Sequence, residues 1–205
     1  EFRRVLFRSI YLDPGNDSFQ RAVDSEPYID KTGLLEILNK SINREKCYFA
    51  VSRARRFGKS MVAGMIDAYY SIGCDSKDLF RPFQIAASSD YDKHLNKYHV
   101  LHIDMATCLN AARDDENPVD LMNDSVLKDF KEAYPEFMDN SIKTLPKAVE
   151  AVWKHDGIRF VIIIDEWECI IRDAKHDETL ISYYLKYLRG FFKTEESRRS
   201  EEHTS

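Results

Sequence analysis

The sequence predicts an α/β fold of three layers, in which a mainly parallel sheet lies between helices. Two observations support this prediction: short apolar runs rich in β-forming residues recur along the chain, and stretches with helical apolar spacing separate them. Strands that alternate with helices favour parallel pairing, because a parallel connection needs a crossover of a dozen residues or more. The 205 residues are enough for one domain with a buried core.

Three apolar runs are predicted as strands. Residues 47–51 form the first, a short buried strand, and residues 99–104 form the second. Residues 159–165, the most apolar run of the chain, form the third. Apolar positions at helical spacing and turn signals predict helices over 17–23, 34–42, 60–71, around 79, and over 90–97, 118–133, 142–154 and 178–192. Asp17 or Ser18 is expected to cap the first helix, and Thr32 the second.

Composition and charge exclude several classes of protein. The net charge of -5 argues against a broad electrostatic hold on nucleic acid, and no apolar run approaches the roughly 18 residues of a membrane-spanning helix. The four cysteines are far apart and form no C-x-x-C pair, which argues against structural zinc and a disulfide framework. Reduced thiols and a cytoplasmic location are expected.

Both ends of the chain are expected to be foreign to the protein. Residues 199–205 (RSEEHTS) can be encoded by AGATCGGAAGAGCACACGTCT, and the reverse complement of that string encodes RRVLFRS, residues 3–9. One DNA string read on both strands looks like a sequencing adapter. We therefore interpret 1–9 and 199–205 as translated adapter, and 10–198 as one domain that is truncated at its C-terminal side.

A phosphate-binding loop is predicted at Gly58-Lys59-Ser60, between the first predicted strand and a helix. A phosphate chain needs backbone N–H donors, a helix N-terminus and an ammonium group. Lys59 would contact the β- and γ-phosphates, and the Ser60 hydroxyl would bind Mg²⁺. The sequence departs from the G-x-x-x-x-G-K-[ST] pattern at position 53, where the pattern has glycine and the chain has Arg53.

A second acidic motif ends the third predicted strand. Ile162-Ile163-Ile164 leads into Asp165 and Glu166. Ligands of open α/β sheets bind outside the carboxyl ends of the strands, where this motif and the loop are both expected. Asp165 would hold Mg²⁺, and Glu166 would orient and activate the attacking water. The alternative is a solvent-facing Asp-Glu pair beside an unrelated basic loop.

Four segments together resemble the bacterial predicted AAA-ATPase-like family: RARRFGKS (53–60), YIDKTGLLE (28–36), IYLDPGNDSFQRAV (10–23) and FVIIIDEWECI (160–170). The family's loop carries arginine at position 53, and only Ala54 departs from it, in place of proline. The resemblance implies an AAA-like P-loop NTPase fold, ATP and Mg²⁺ as ligands, and a following PD-(D/E)XK nuclease-like domain through which nucleic acid would be a partner. The resemblance does not decide whether the protein forms a homo-oligomer.

The predicted site residues follow from the motifs and the resemblance. Catalysis is assigned to Lys59 and Glu166, and Mg²⁺ to Ser60 and Asp165. The nucleotide is assigned to Arg55, Arg56, Phe57, Gly58, Lys59, Ser60 and Met61. Arg53, Arg55 and Arg56 could instead touch nucleic acid or form a solvated basic loop.

Alternatives stay open at several other positions. Residues 30–32 lie where AAA-type domains wrap the adenine, although a helix cap by Thr32 is favoured. Asp104 either contacts the Mg²⁺ shell or caps the next segment. Trp167 is expected in the core rather than in a lid. The aromatic side chains of 183–192 are expected to pack rather than to stack on bases.

The predicted function is Mg-ATP binding with hydrolysis of the β–γ bond in the intact parent. The alternative is a nucleotide-gated module that switches its contact with DNA or protein without significant turnover. A further strand of AAA-type sheets is expected beyond Arg198. The 205-residue chain alone is therefore expected to be poorly soluble or inactive, and a cooperative melt with micromolar ATP binding would contradict this.

Overall fold

The computed structural model describes residues 11–25, 27–42, 44, 47–51, 58–174 and 177–192. Residues 191 and 192 are described by their backbone only. Both predicted adapter segments, 1–9 and 199–205, lie outside the described residues. The chain divides into two compact units. The first contains the chain up to Ile103 together with Val152–Asp165, and the second contains Asp104–Ala151 and the chain from Glu166 onward.

The secondary structure of the described residues is mainly helical. The helices are α1 (Asp17–Asp24), α2 (Gly33–Ser41), α3 (Lys59–Tyr70), α4 (Lys77–Phe80), α5 (Tyr91–His94), α6 (Met105–Ala111), α7 (Pro118–Ala133), α8 (Leu145–Asp156), α9 (Cys169–Asp173) and α10 (Glu178–Phe192), with a 3₁₀ turn at Gln84–Ala87. The strands are β1 (His99–Asp104) and β2 (Phe160–Asp165).

The sheet of the first unit consists, among the described residues, of β1 and β2 in parallel. The backbone N–H of His99 donates to the carbonyl of Arg159 at 3.0 Å. On its other edge β1 pairs with the segment around Leu12, which forms an antiparallel bridge with Leu101. The prediction of an α/β fold with parallel strands is thus confirmed in its coarse form, whereas the described sheet is smaller than the full three-layer P-loop fold.

The prediction of a buried strand over 47–51 is wrong. These residues take no strand conformation, and the side chains of Tyr48, Phe49 and Val51 are about half exposed, at 50%, 47% and 49%. A preference for strand reflects packing against cross-strand neighbours on a pleated surface. No partner strand pairs with this run within the part of the chain that the structure describes. Its β-forming composition is therefore not sufficient by itself.

Helix α3 forms the centre of the first unit. It packs against α1 and β2, and its side chains are buried around most of its circumference. Gly64 allows the close approach of α1, because a Cβ there would lie only 3.2 Å from Ser18 Oγ. The surrounding core is strongly aromatic, with the rings of Phe19 and Phe80 stacked at 5.0 Å. Other members of this core are Leu35, Met65, Tyr69, Tyr70, Ile85, Tyr91 and Val100.

The second unit is helical. Helix α6 packs against α7 and α9, and α9 packs against α10. Helix α7 begins as its sequence predicts: Pro118 occupies the first turn, and the Asn117 side chain accepts a hydrogen bond from Val119 N. The buried side chains include Met105, Val119, Met122, Val126, Phe130, Leu145, Cys169, Ile170 and Tyr184.

Most predicted helices are confirmed, and the differences lie at their ends. Helix α1 follows Asn16 and has no side-chain cap, so the predicted caps Asp17 and Ser18 both lie inside the helix. The helix predicted over 90–97 is only α5, a single turn. Helices α6 and α9 are short and were not predicted. No helix within the described ranges is long and apolar enough to cross a membrane.

Candidate functional site

The predicted phosphate loop, Gly58-Lys59-Ser60, leads into α3, and Gly58 immediately precedes that helix. Gly58 has φ +77° and ψ 36°, in the left-handed region that glycine adopts at little cost. Its carbonyl accepts the first helical hydrogen bond from Val62 N at 3.0 Å. The N–H groups of a first helical turn have no partner within the helix, and glycine has no side chain to cap them. This end of α3 is therefore suited to bind an anion.

Ser60 and Asp165 come together, although 105 residues separate them in the sequence. Ser60 lies in the first turn of α3, and Asp165 is the last residue of β2. The Ser60 Oγ lies 3.5 Å from Asp165 Oδ2, a long contact for a hydrogen bond. A hydroxyl and a carboxylate oxygen at this separation are the hard donors that Mg²⁺ prefers.

The remaining predicted nucleotide contacts divide into two groups. Lys59 and Met61 lie in the first turn of α3 and are half-buried, next to Gly58 and Ser60. Arg55, Arg56 and Phe57, like Arg53, lie outside the described residues.

Lys31, one of the residues 30–32 for which an adenine contact is an open alternative, lies instead beside Gly58 of the predicted phosphate loop. A Cβ placed on Gly58 would lie 2.8 Å from Lys31 Nζ. Both neighbours of Lys31 are bound to the 3₁₀ turn: Asp30 Oδ2 accepts from Gln84 N at 2.9 Å, and Thr32 Oγ1 accepts from Ile85 N at 3.2 Å.

The hydrogen bonds of Asp30 and Thr32 define what this segment does. Burial acts to raise the pKa of Asp30, but the N–H groups of Gln84 and Thr32 outweigh it and lower the pKa below its ordinary value. Thr32 precedes α2, as predicted, but its side chain makes no cap hydrogen bond. Thr32 is fully buried and its hydroxyl is bonded to Ile85 instead. The predicted cap is therefore a tertiary anchor.

A buried carboxyl group lies on the inner side of α3. Asp67 is 4% exposed, and its Oδ2 is 2.7 Å from the Nδ1 of His102 on β1. Its Oδ1 has no hydrogen-bond partner among the described residues. Burial raises the pKa of Asp67, and the negative charges of Asp165 and Asp13 raise it further. The hydrogen bond to His102 lowers this pKa, but by less than burial raises it.

The two histidines of β1 have different partners. His99 is 1% exposed; its Nε2 lies 2.7 Å from Asp156 and its Nδ1 lies 3.3 Å from Asp13. His102 binds Asp67 instead. Within the described segments, no three His, Cys, Asp or Glu side chains are grouped as a metal site. None of the four cysteines forms a disulfide.

Glu166 belongs to the second unit and has an unusual backbone. Its φ of +50° lies in the left-handed region, which costs a residue with a Cβ. Its carboxylate Oε2 lies 3.7 Å from Arg172 on α9, which also forms two hydrogen bonds to Asp173. Glu166 is thus held at two points within this unit. Its carboxylate lies near the charge of Arg172, and its backbone carbonyl accepts a hydrogen bond from Cys169 N.

Two of the open alternatives in this unit are settled. Asp104 caps α6: its Oδ1 accepts from Ala106 N and Thr107 N at 2.9 and 3.2 Å. Trp167 is 42% exposed, so its predicted place in the core is wrong, since the tight turn after Glu166 directs it outward.

The aromatic side chains of α10 are mainly packed or hydrogen-bonded. Tyr184 is fully buried, with its hydroxyl donating to the carbonyl of Trp167 at 2.8 Å. Tyr187 and the exposed Tyr183 donate to Asn123 and Asp120 on α7. The side chains of 191 and 192 lie outside the described part.

Comparison with known proteins places the chain in a family. No curated protein and no solved structure matches it. The family described as "Predicted AAA-ATPase" matches residues 15–203, which is most of the chain and includes both Gly58–Ser60 and Asp165. The chain therefore belongs to the predicted AAA-ATPase family.

Proposed function

We propose that this chain binds Mg-ATP through Gly58, Lys59, Ser60 and Asp165, and that the intact protein hydrolyses the β–γ phosphate bond. The observation that supports this proposal best is the approach of Ser60 Oγ to Asp165 Oδ2 at 3.5 Å. Family membership supports nucleotide binding in general.

The donors at this place suit a magnesium ion that is bound together with a nucleotide. Mg²⁺ is usually held by one or two protein oxygens, with phosphate oxygens and water completing its shell. Ser60 and Asp165 would supply those protein oxygens. When bound, Mg²⁺ would neutralise charge on the phosphate oxygens.

The chain's own residues would perform the other parts of the reaction. The first-turn N–H groups of α3 would bind phosphate oxygens, and the Lys59 ammonium would stabilise charge on the transferring group. The Glu166 carboxylate would accept a proton from the attacking water. Asp165 holds the metal in this scheme, so the two consecutive acids have different roles.

Equilibrium binding tests the nucleotide site apart from turnover. ATP binding is measured by calorimetry with Mg²⁺ and again with EDTA, on the 205-residue chain and on the variants Lys59→Ala, Ser60→Ala and Asp165→Asn. We expect Lys59→Ala to weaken binding in both conditions by about tenfold, close to 1.4 kcal/mol. Ser60→Ala and Asp165→Asn should weaken it in Mg²⁺ alone, because they act through the metal.

The matched control is Asp114→Asn, which removes the charge of an exposed carboxylate in the second unit. It should bind as the unchanged chain does. Equal losses for Ser60→Ala in Mg²⁺ and in EDTA would contradict the metal site. Absence of saturable ATP binding by the unchanged chain would overturn the proposal, whereas saturable binding would contradict the expectation from the sequence that this chain alone is inactive.

Hydrolysis is tested with Glu166→Gln in the intact protein. We expect turnover to fall by about 10²–10⁴, the usual contribution of a general base, while ATP stays bound with unchanged affinity. If the variant changes neither turnover nor ATP retention, the assignment of Glu166 fails. Binding without any turnover in the intact protein would favour the nucleotide-gated module.

A further inference from the structure

We propose that Lys31 is a second phosphate-binding cation of this site, contributed by the segment that precedes α2. The inference rests on the proposed function, because it concerns the same bound triphosphate. A methyl group at Gly58 would lie 2.8 Å from Lys31 Nζ, so this ammonium group lies against the backbone at the start of α3.

The backbone on both sides of Lys31 is held in place. Asp30 accepts hydrogen bonds from Gln84 N at 2.9 Å and from Thr32 N at 2.8 Å. Thr32 is fully buried and accepts from Ile85 N at 3.2 Å. The segment is thereby fixed to the 3₁₀ turn, which α2 also packs against. A side chain between two anchored residues reaches its neighbour at a reduced cost in conformational entropy.

The position of Lys31 selects a polyphosphate as its ligand. Gly58 precedes the first-turn N–H groups of α3, and Lys59 is the next residue. An ammonium group at this place adds a positive charge where N–H donors already favour an anion. Its contribution should therefore grow with the number of phosphates on the nucleotide. A contact with adenine, the alternative expected for residues 30–32, would contribute equally to ATP and AMP.

The experiment compares Lys31→Gln with Lys31→Arg in the full chain, by calorimetry with ATP, ADP and AMP in Mg²⁺. Inorganic tripolyphosphate serves as a probe without a base, measured by its competition with ATP. We expect Lys31→Gln to weaken ATP and tripolyphosphate by about tenfold and AMP by less than about twofold. Lys31→Arg should retain most of the affinity, because it keeps the charge.

The control is Lys40→Gln, which removes an exposed lysine from the helix that follows, α2. It should leave all affinities unchanged, and melting curves should show that each variant is folded. Unchanged ATP affinity in Lys31→Gln, alongside a loss in Lys59→Ala, would overturn the role of Lys31 and leave the proposed function intact. Equal losses for ATP and AMP would assign Lys31 to the base and also overturn it. If the unchanged chain binds no triphosphate, both proposals fail.

Discussion

Asp67 on α3 and His102 on β1 form a hydrogen bond of 2.7 Å inside the first unit, where Asp67 is 4% exposed. This bond joins α3, the helix that follows Gly58, to the strand beside β2. The Oδ1 of Asp67 lacks a partner among the described residues, so ionising this carboxyl group is costly. Stability should therefore depend on its protonation.

The pKa of Asp67 is raised above its ordinary value of 3.8, mainly by burial. The folded state then holds this proton more tightly than the unfolded state, so the contribution to stability is full below 3.8 and is lost as pH rises through the folded-state pKa. We expect the unfolding free energy of the unchanged chain, relative to Asp67→Asn, to increase as pH falls toward 4. Urea titrations across that range measure the difference. A flat profile for Asp67→Asn across that range would contradict the prediction.

His99 is expected to be a major source of stability in the first unit. It is 1% exposed and lies between the carboxylates of Asp13 and Asp156. His99→Ala should lower the unfolding free energy by about 2–3 kcal/mol, because it removes a buried ring together with its two hydrogen bonds to carboxylates. His155→Ala, at an exposed position of α8, is the control and should cost less than about 0.5 kcal/mol. Chemical denaturation measures both, and a similar loss in the two variants would show that His99 has no special role.

Glu166 should show a trade-off between stability and function. Its φ of +50° brings the Cβ close to a backbone carbonyl oxygen, so the backbone conformation at Glu166 is strained. We expect Glu166→Gly to be more stable than Glu166→Ala by about 1 kcal/mol, since both lose the carboxylate and the ion pair with Arg172, and only glycine relieves the strain. Thermal melts compare the two variants. An alanine variant as stable as the glycine variant would mean that the backbone is not strained.

Thr32 distinguishes a tertiary anchor from a helix cap. Thr32→Val should cost about 1–2 kcal/mol, because Ile85 N loses its acceptor in a buried place. Thr32→Ser keeps the hydroxyl and should cost less. Thr32→Asp would improve an N-cap but would bury a charge here, so it should be the least stable of the three. Denaturation midpoints give the order, and an aspartate variant as stable as the unchanged chain would restore the capping interpretation.

Short-range patterns account for the elements that could be predicted. Helix α7 follows from Asn117, Pro118 and an apolar stripe, and β2 follows from an uninterrupted apolar run. Residues 47–51 have a similar composition but form no strand, because pairing depends on a distant partner. The sequence does not predict helices α6 and α9, because helices of one or two turns are too short to show a periodic spacing of apolar residues.

The residues of the candidate site also divide into those that a local motif indicated and those that only a contact between distant segments revealed. The motifs indicated Gly58, Lys59, Ser60 and Asp165 because each residue type carries its chemistry in a short local pattern. Nothing in the pattern around Lys31 indicated its approach to Gly58. That approach depends on how Asp30 and Thr32 are bound to the 3₁₀ turn.

The amino-acid sequence by itself determined the family, most of the helices and both strands, and it gave the residues of the proposed phosphate loop. The motifs also predicted that Ser60 and Asp165 lie together, and the tertiary structure gave their separation of 3.5 Å. Only the tertiary structure decided that Lys31 lies beside Gly58 and that Asp67 is bound to His102. The physical reason is range. Propensity, periodicity and capping act within a few residues, whereas contacts between distant segments depend on the packing of a whole unit around α3.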